Sequence, residues 1–379
     1  MVEIKRIESE RDIKKFIDFR TALYKDDPCA VPYLYMDEHD ALSKKKNRAF
    51  AFCEAEYYLA YKDGKVVGRV AAIINHKANK RWNRKSVRFG YFDFIDDLEV
   101  STALIDTVKA YGREKGMEHI IGPVGFIDMD REGMLVEGFD VMATMHANHN
   151  YAYYPEHINA IGGFEKDNDW VQQMVKVPEK VPEKFVKITE MIGKRYNLRA
   201  KKVTRKELVR GGYAKRLFQI LNECYKDLYE FSELDDTQID QLIESYINLA
   251  DTNLVSLVFD ETEENKMVGF GVSFPSFSKA LRRTKTGKLF PFGWFHLART
   301  LFFHDTDVVD LLLIGVLPEY RAKGANALIF DDLIKCYNRY GFKNALTLAM
   351  METNNGVLSA WQHFDAKTVK RLRSYKAKL

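Results

Sequence analysis

Basic residues and a glycine follow an apolar strand late in the sequence, in an arrangement suited to holding phosphate. The run Leu311–Val316 is typical of a buried strand, and Pro318 marks its end. Arg321, Lys323 and Gly324 then form a short turn before a segment whose apolar residues have helical spacing. A strand-to-helix junction of this kind presents backbone N–H groups and the positive end of a helix dipole to an anion. The sequence therefore predicts a pyrophosphate site at this turn.

The composition is that of an ordinary globular protein. The 379 residues are 46% hydrophobic and 30% charged, and this length favours two domains over one. Lysine and arginine outnumber aspartate and glutamate by only 58 to 54, so no overall field attracts nucleic acid. We expect no nucleic-acid partner and leave the oligomeric state open.

Cysteine usage and the termini indicate a cytoplasmic protein without a metal. The four cysteines are widely scattered and form no CxxC pair, which argues against a zinc site and for a reducing compartment. His146 and His149 have no partner at metal-ligand spacing. The first residues lack a signal-peptide core, and no apolar run approaches the roughly 20 residues of a membrane span. We therefore expect no stable membrane insertion.

The order of predicted elements suggests an internal repeat. Strands, a hairpin with Asp63-Gly64 at its turn and two helices fill the first half, and a similar order returns after a charged, proline-bearing seam. This order predicts one domain over 1–178, a linker over 179–197 and a second domain over 198–379.

The turn and the residues that follow it resemble the GNAT superfamily of acyl-CoA-dependent N-acyltransferases. Arg321-x-x-Gly324 after the central strand matches the first four positions of the family signature Arg/Gln-x-x-Gly-x-Gly/Ala, but Asn326 stands at the sixth. Glu352-Thr-Asn354 matches a further family motif, whereas Trp361 replaces the tyrosine that protonates the leaving thiolate in many relatives.

The resemblance implies an α/β (α+β) protein with tandem GNAT-like folds, in which mixed, mostly antiparallel sheets are flanked by helices. It also implies acetyl-CoA or another acyl-CoA as co-substrate and a small-molecule or peptide amine as acceptor. The first half carries Asp96-Asp97-Leu98-Glu99 where its own phosphate turn should be, and these carboxylates would repel a pyrophosphate. We therefore expect one CoA per chain, and the resemblance implies that 1–178 is a degenerate accessory or substrate domain and 198–379 the acyl-CoA-binding catalytic domain.

The family pattern also assigns site residues. The residues expected to bind CoA are Ile314, Val316, Arg321, Ala322, Lys323, Gly324, Ala325, Asn326, Ala327, Asn354 and Asn355. A free backbone N–H near Ile314–Val316 would stabilise the oxyanion. Asp310 is the expected general base, Glu352 a second candidate, and Tyr375 a substitute proton donor. Each has a structural alternative, namely a satisfied strand-end carboxylate, a helix cap and a packed core residue.

Two other functions and one unusual segment stay open. The alternatives are a non-catalytic acyl-CoA-binding protein, which Asn326 and Trp361 favour, and a transferase that uses aminoacyl-tRNA. The segment 279–303 is basic and then aromatic. It can form a lid or wall for an acyl chain, or a helix packed between the halves with its basic side solvated. The second interpretation is favoured because aromatic stripes are more often core than pocket.

Overall fold

The computed structural model describes residues 1–247, 250–264, 266–354, 356, 361 and 364–379, with only the backbone of residue 184. In this part of the chain, helices flank a single large sheet. The strands are β1 Glu3–Arg6, β2 Cys53–Lys62, β3 Lys65–Asn75, β4 Ser86–Phe94, β5 His119–Gly122, β6 Met134–Glu137, β7 Glu165–Lys176, β8 Leu198–Lys201, β9 Val255–Asp260, β10 Lys266–Pro275, β11 Val308–Val316, β12 Asn344–Thr347, β13 Met350–Met351 and β14 Ala366–Lys378.

The helices lie between these strands along the chain. They are α1 Glu10–Leu23, α2 Tyr35–Leu42, α3 His76–Arg81, α4 Leu98–Glu114, α5 Tyr153–Ile161, α6 Glu183–Tyr196, α7 Arg205–Val209, α8 Tyr213–Tyr225, α9 Asp236–Ser245, α10 Ser278–Thr284, α11 Gly293–Phe303, α12 Pro318–Arg321 and α13 Ala325–Tyr340. The short helix predicted between Asn354 and Phe364 falls mostly outside the described residues.

The strand order reads alike from both edges of the sheet. From one edge it runs β1-β2-β3-β4-β5, from the other β8-β9-β10-β11-β12, and β14 and β7 lie between the two series. The pairs β4–β5 and β11–β12 are parallel, each joined by a helix, and the other pairs are antiparallel. The predicted fold class, mixed and mostly antiparallel sheets flanked by helices, is confirmed, and the repeat appears as two matching halves of one sheet.

The two halves exchange strands at the middle of the sheet. The last strand, β14, pairs with β5 of the first half, with Tyr375 opposite Gly122. In return β7 pairs with β12 of the second half, with Ala345 opposite Val175. Packing follows the pairing, because Tyr375 lies in the hydrophobic core of the first half and Val175 in that of the second. The division into 1–178 and 198–379 stays a prediction about chain segments.

Two segments differ locally from the elements that the sequence predicts. The predicted linker, 179–197, contains α6, which packs against α13. The helix predicted from Arg321 to Tyr340 is split, because Gly324 adopts a φ of +81° between α12 and α13. Only glycine takes up this left-handed conformation readily, so Gly324 fixes where α13 begins.

Candidate active site

Strand β11 pairs on one side for only half of its length. Its parallel pairing with β12 runs from Val308 to Leu311, and the N–H of Leu348 donates to the carbonyl oxygen of Leu311 at 3.2 Å. No strand in the described part of the chain pairs with this side of β11 beyond Leu311. The strands diverge here and leave an open edge.

A bulge turns two peptide groups toward that open edge. The register with β10 shifts so that Leu313 faces Val272 and Leu311 faces Ser273, which leaves Leu312 as the extra residue. The N–H of Leu317 donates to Val268 on the β10 side. Because peptide groups alternate sides along a strand, those of Ile314 and Val316 point to the open edge.

Neighbouring side chains donate hydrogen bonds to the carbonyl oxygens at this edge, and the N–H groups there can bind a ligand. The Tyr225 hydroxyl donates to the Ile314 carbonyl at 3.3 Å. Cys224 Sγ and Arg321 Nε donate to the Val316 carbonyl at 3.2 and 3.0 Å. These two N–H groups are the candidates for the oxyanion donor that the sequence predicts near Ile314–Val316, and this role stays a prediction.

The predicted phosphate turn lies directly after β11. Arg321 and Ala322 are exposed, and Gly324 precedes the sixteen-residue helix α13. At the start of this helix the N–H of Ala327 donates to the Gly324 carbonyl at 2.9 Å, whereas those of Ala325 and Asn326 have no carbonyl partner within the helix. Asn326 lies inside the helix and has no positive φ, so its departure from the family signature does not distort the turn. With Arg321 and Lys323 beside it, the turn fits a pyrophosphate.

The matching position in the first half is closed to an anion. Helix α4 begins after Asp97, whose carboxylate accepts the N–H of Glu99 at 3.0 Å. Lys62 Nζ lies 2.6 Å from the Asp97 carboxylate and 3.1 Å from that of Glu99. The protein's own carboxylates therefore occupy this helix end, as expected if only the second half binds CoA.

A cavity of about 410 Å³ extends between the halves and reaches the open edge of β11. In the second half its walls are mainly apolar. They include Phe218, Phe274, Leu311, Leu312, Leu313, Ile314, Phe330, Leu333, Ile334, Trp361 and Phe364. In the first half the walls carry charged and polar groups. These include Arg20, Asp37, Arg69, Asp128, Asp130, Arg131, Glu132, His146, His149 and Asn150. One space thus joins an apolar compartment to a polar one.

A coupled carboxyl pair, Asp128 and Glu132, lies in the polar compartment. Burial raises the pKa of Asp128 to about 7, against an opposing effect of Arg88. Burial and the neighbouring Asp128 raise the pKa of Glu132 well above its usual value, and Glu132 Oε1 has no hydrogen-bond partner among the described residues. Asp128 also acts electrostatically on Tyr225, which contacts Ile314. Both carboxyl groups therefore hold their protons to higher pH than exposed carboxyl groups do, and Glu132 does so more strongly than Asp128.

Burial also shifts the pKa values of two other groups in this compartment toward the neutral form of each side chain. Burial raises the pKa of Asp37 to about 6, opposed by Arg131. Burial lowers the pKa of His146 to about 4, so its imidazole is neutral at pH 7. The Arg131 guanidinium stacks on the Tyr33 ring at 3.5 Å and Nη1 donates to the Met145 carbonyl at 3.3 Å.

The structure does not bring the three predicted catalytic residues to this cavity. Asp310 is buried beside Ser276, and burial raises its pKa to about 7, but it is absent from the cavity wall. Glu352 contacts Lys166 and lies 2.6 Å from Arg371, which lowers its pKa and makes it a weak base. Tyr375 is packed in the core of the first half. Catalytic roles for these three residues stay predictions.

The other predicted residues have mixed positions. Asn354 lines the cavity, and Asn355 lies outside the described residues. Trp361 also lines the cavity, where its ring packs against Phe330 and Phe364 and its indole N–H has no partner among the described residues. Sequence reasoning missed Asp128 and Glu132 as titrating groups. Their spacing of four in a glycine-containing loop was a signal, but burial decides their pKa and the sequence does not show it.

The basic and aromatic segment follows neither interpretation in full. It does bridge the halves, because Leu281 is buried beside Val31 and Ala143 of the first half. Its aromatic side chains, however, are exposed and absent from the cavity wall. The interpretation of this stripe as packed core is wrong.

The described residues contain neither a metal-binding cluster nor a membrane-spanning helix. No group of three or more His, Cys, Asp or Glu side chains there is arranged to hold a metal ion. No helix within the described ranges has the length and hydrophobicity needed to cross a bilayer.

Comparisons with known proteins agree with this architecture. No protein-family model matches the chain. Protein YghO of Escherichia coli K12 is 27% identical, with 98% of this chain and 94% of the relative covered. A bacterial ceramide synthase of Caulobacter vibrioides is 26% identical, with 88% of each chain covered.

Solved structures give the same architecture over the full chain. A tandem GNAT protein from the clavulanic acid biosynthesis pathway matches with a TM-score of 0.56 at 11% identity, covering 100% of this chain and 98% of the other. A GCN5-related N-acetyltransferase from Sphaerobacter thermophilus matches with a TM-score of 0.52 at 10% identity, covering 100% and 95%. The fold that the sequence predicted from the Arg321–Ala327 turn is therefore confirmed, and the chain has the tandem GNAT fold.

Proposed function

We propose that this protein is an N-acyltransferase that moves the acyl group of an acyl-CoA thioester to an amine. The observation that carries the proposal is the single cavity that joins the open edge of β11 to the carboxyl pair Asp128 and Glu132. One end of this cavity lies beside oxyanion donors and the other beside a group that can accept a proton. Acyl transfer to an amine needs both.

The position of the phosphate turn supports acyl-CoA as the donor. The bulge at Leu312 lies five residues before Leu317, about 16 Å along an extended strand. An extended pantetheine arm spans such a distance between the pyrophosphate and the thioester. The N–H groups of Ile314 and Val316 then lie along that path. When bound, acyl-CoA supplies an activated acyl carbon.

The carboxyl pair supplies the acid–base chemistry that an amine acceptor requires. At neutral pH an alkylamine is an ammonium ion, which the carboxylates of the polar compartment attract. Transfer of its proton to the Asp128–Glu132 pair frees the nitrogen lone pair. The nitrogen attacks the thioester carbon, the new C–N bond forms as the C–S bond breaks, the second amine proton is lost to solvent, and CoA leaves as a thiol after taking up a proton.

The apolar walls favour a long acyl chain over acetyl. Phe330, Leu333 and Ile334 of α13 line the same compartment as Phe274 and Phe364. Burying apolar surface favours binding by roughly 25 cal/mol per Å². A relative named bacterial ceramide synthase supports an acceptor with lipid character. We therefore propose a long-chain acyl-CoA as donor and an amphipathic amine as acceptor.

Thiol release from acyl-CoA tests the proposal. The protein is incubated with acyl-CoAs of increasing chain length and with amines that include long-chain amino alcohols, and both free thiol and the amide product are measured. We expect amine-dependent turnover that increases with chain length. Binding of CoA without turnover on any amine would instead support a non-catalytic acyl-CoA-binding protein.

A further inference from the structure

An exposed aromatic surface lies on the segment between β10 and β11. Of the eleven large hydrophobic side chains exposed in the described residues, six fall within fourteen positions of this segment. Their exposed fractions run from 48% to 80%. We call these residues the aromatic face: Phe290, Phe292, Trp294, Phe295, Phe302 and Phe303. Single exposed apolar residues are ordinary, but a cluster of this size marks an interaction site.

Helix α11 presents its aromatic side to solvent. At 100° per residue, Trp294, Phe295 and Phe302 fall within an arc of about 100°. Gly293 and Thr300, the buried residues of this helix, lie on the opposite side. An amphipathic helix on a globular protein normally turns its apolar side to the core. The inversion means that the aromatic face has no partner within the described part of the chain.

Positive charge surrounds the aromatic face. Between Ser276 and His304 the chain carries six lysine or arginine residues and no aspartate or glutamate. Four of the six form ion pairs with Asp18, Asp305 or Asp307, whereas Arg282 and Lys285 have no acidic partner among the described residues. Exposed aromatic groups beside these two unpaired cations complement a surface that is apolar and anionic. A second copy of this chain would bring the same cations together, which disfavours self-association.

The aromatic face is also connected to the cavity wall. Leu281 and Leu297 on the inner side of the segment belong to the same cluster as Leu34 and Met145. Leu34 and Met145 line the cavity. The N–H of Tyr35 donates to the Gly287 carbonyl at 3.0 Å, which ties the segment to the first half.

We propose that the aromatic face docks the protein on the surface of an anionic phospholipid bilayer. The rings enter the headgroup layer, where aromatic side chains are favoured, and the basic residues meet lipid phosphate. The protein then lies on the membrane without crossing it, and the cavity is held near substrates with lipid character. Docking itself requires no acyltransferase activity, so it can be tested separately from the proposed function.

Vesicle flotation tests the proposal with the full chain. The vesicles are pure phosphatidylcholine, or phosphatidylcholine with a fraction of phosphatidylglycerol. One variant combines F292S, F302S and F303S, and a second combines R282E and K285E. The matched control combines L98S and M191S, which remove exposed apolar side chains elsewhere. Circular dichroism checks that each variant is folded.

The expected result is flotation of the wild type with phosphatidylglycerol vesicles and much weaker flotation with pure phosphatidylcholine. The triple serine variant should bind at least about tenfold more weakly, and the charge variant about fivefold more weakly for each residue changed. The control should float like the wild type. The proposal is overturned if the wild type fails to float or if the triple variant floats equally well. It is also overturned if that variant only converts an oligomer to a monomer in size-exclusion chromatography.

Discussion

Buried carboxyl groups occur in two different settings in this protein, and their surroundings assign them different roles. Glu132 and Asp128 line the cavity and interact with each other, whereas Asp310 is buried beside Ser276 and away from the cavity wall. Burial raises the pKa in all three cases, so the shift alone does not identify the base. Access to the cavity distinguishes Asp128 and Glu132 from Asp310.

Replacing Asp128 with asparagine should lower turnover, because Asp128 is the member of the pair whose pKa is about 7, and replacing Asp310 with asparagine should not. Loss of a general base typically costs about 10²- to 10⁴-fold in rate. Burial and Asp128 raise the pKa of Glu132 well above its usual value, so Glu132 is protonated at neutral pH and E132Q should lower turnover much less than D128N. Thiol release measured from pH 5 to 9 checks both expectations. Equal losses in D128N and D310N would point back to Asp310.

The D310N variant should also change how stability depends on pH. Asp310 titrates at about 7 in the folded chain because burial disfavours its charge, against roughly 4 in the unfolded chain. Ionisation above pH 4 therefore favours the unfolded state, and the contribution to stability falls as pH rises toward 7. D310N removes this fall, which amounts to up to about 4 kcal/mol. Urea unfolding at pH 5 and pH 8 should show a larger gain for D310N at pH 8.

At the scale of single elements, a glycine in the left-handed conformation lies at each end of α13. Comparing the two glycines distinguishes an effect on CoA binding from an effect on the backbone alone. Gly324 at its start has a φ of +81°, and Gly341 at its end has a φ of +79°. A Cβ at Gly341 would meet nothing within 4 Å, and one at Gly324 would meet only the end of the Ile192 side chain. The two positions therefore form a matched pair.

Alanine at either glycine should cost about 1–2 kcal/mol of stability, because the left-handed conformation is unfavourable for a residue with Cβ. Only G324A should weaken CoA binding, since it alone disturbs the phosphate turn. Isothermal titration with CoA and thermal unfolding of both variants provide the check. If G341A weakens CoA binding as much as G324A does, the turn is not the binding site.

At the same scale, the sequence predicted elements better than their junctions. The Asp63-Gly64 hairpin, strand β4 and helix α8 follow from local patterns, because turn residues and apolar spacing are local properties. The α12–α13 break comes from the left-handed conformation of Gly324, which helical spacing does not reveal, and the exposure of the aromatic face depends on which distant segments pack against it. The Asp128–Glu132 pair was missed for the same reason, since its chemistry comes from burial beside Arg88 and Tyr225.

At the scale of the whole molecule, a buried ion pair joins the halves. Arg88 of β4 lies 2.6 Å from Glu230, which follows α8 in the second half, and both side chains are 2% exposed. Arg84 adds a second contact to Glu230 at 2.8 Å. The charge of Arg88 also opposes the rise in the pKa values of Asp128 and Glu132. The same ion pair therefore affects both the contact between the halves and the candidate site.

Replacing Glu230 with glutamine should destabilise the protein by about 3 kcal/mol, because it leaves a buried guanidinium without its main counter-charge. Replacing Arg88 with methionine and Glu230 with leucine together should restore much of that loss. Chemical denaturation measures both, with E118Q as a control at the exposed Lys85–Glu118 pair, where the midpoint should not change. A midpoint for E230Q equal to that of E118Q would show that the pair contributes little.

The exchange of β7 and β14 has a consequence for how the chain folds during its synthesis. The sheet of the first half lacks its neighbour to β5 until residues 366–378 have left the ribosome. Until then the edge of β5 exposes unpaired N–H and C=O groups, which is a hazard for aggregation. Each half needs a strand of the other to complete its sheet. Splitting the gene between the halves would therefore leave two incomplete sheets.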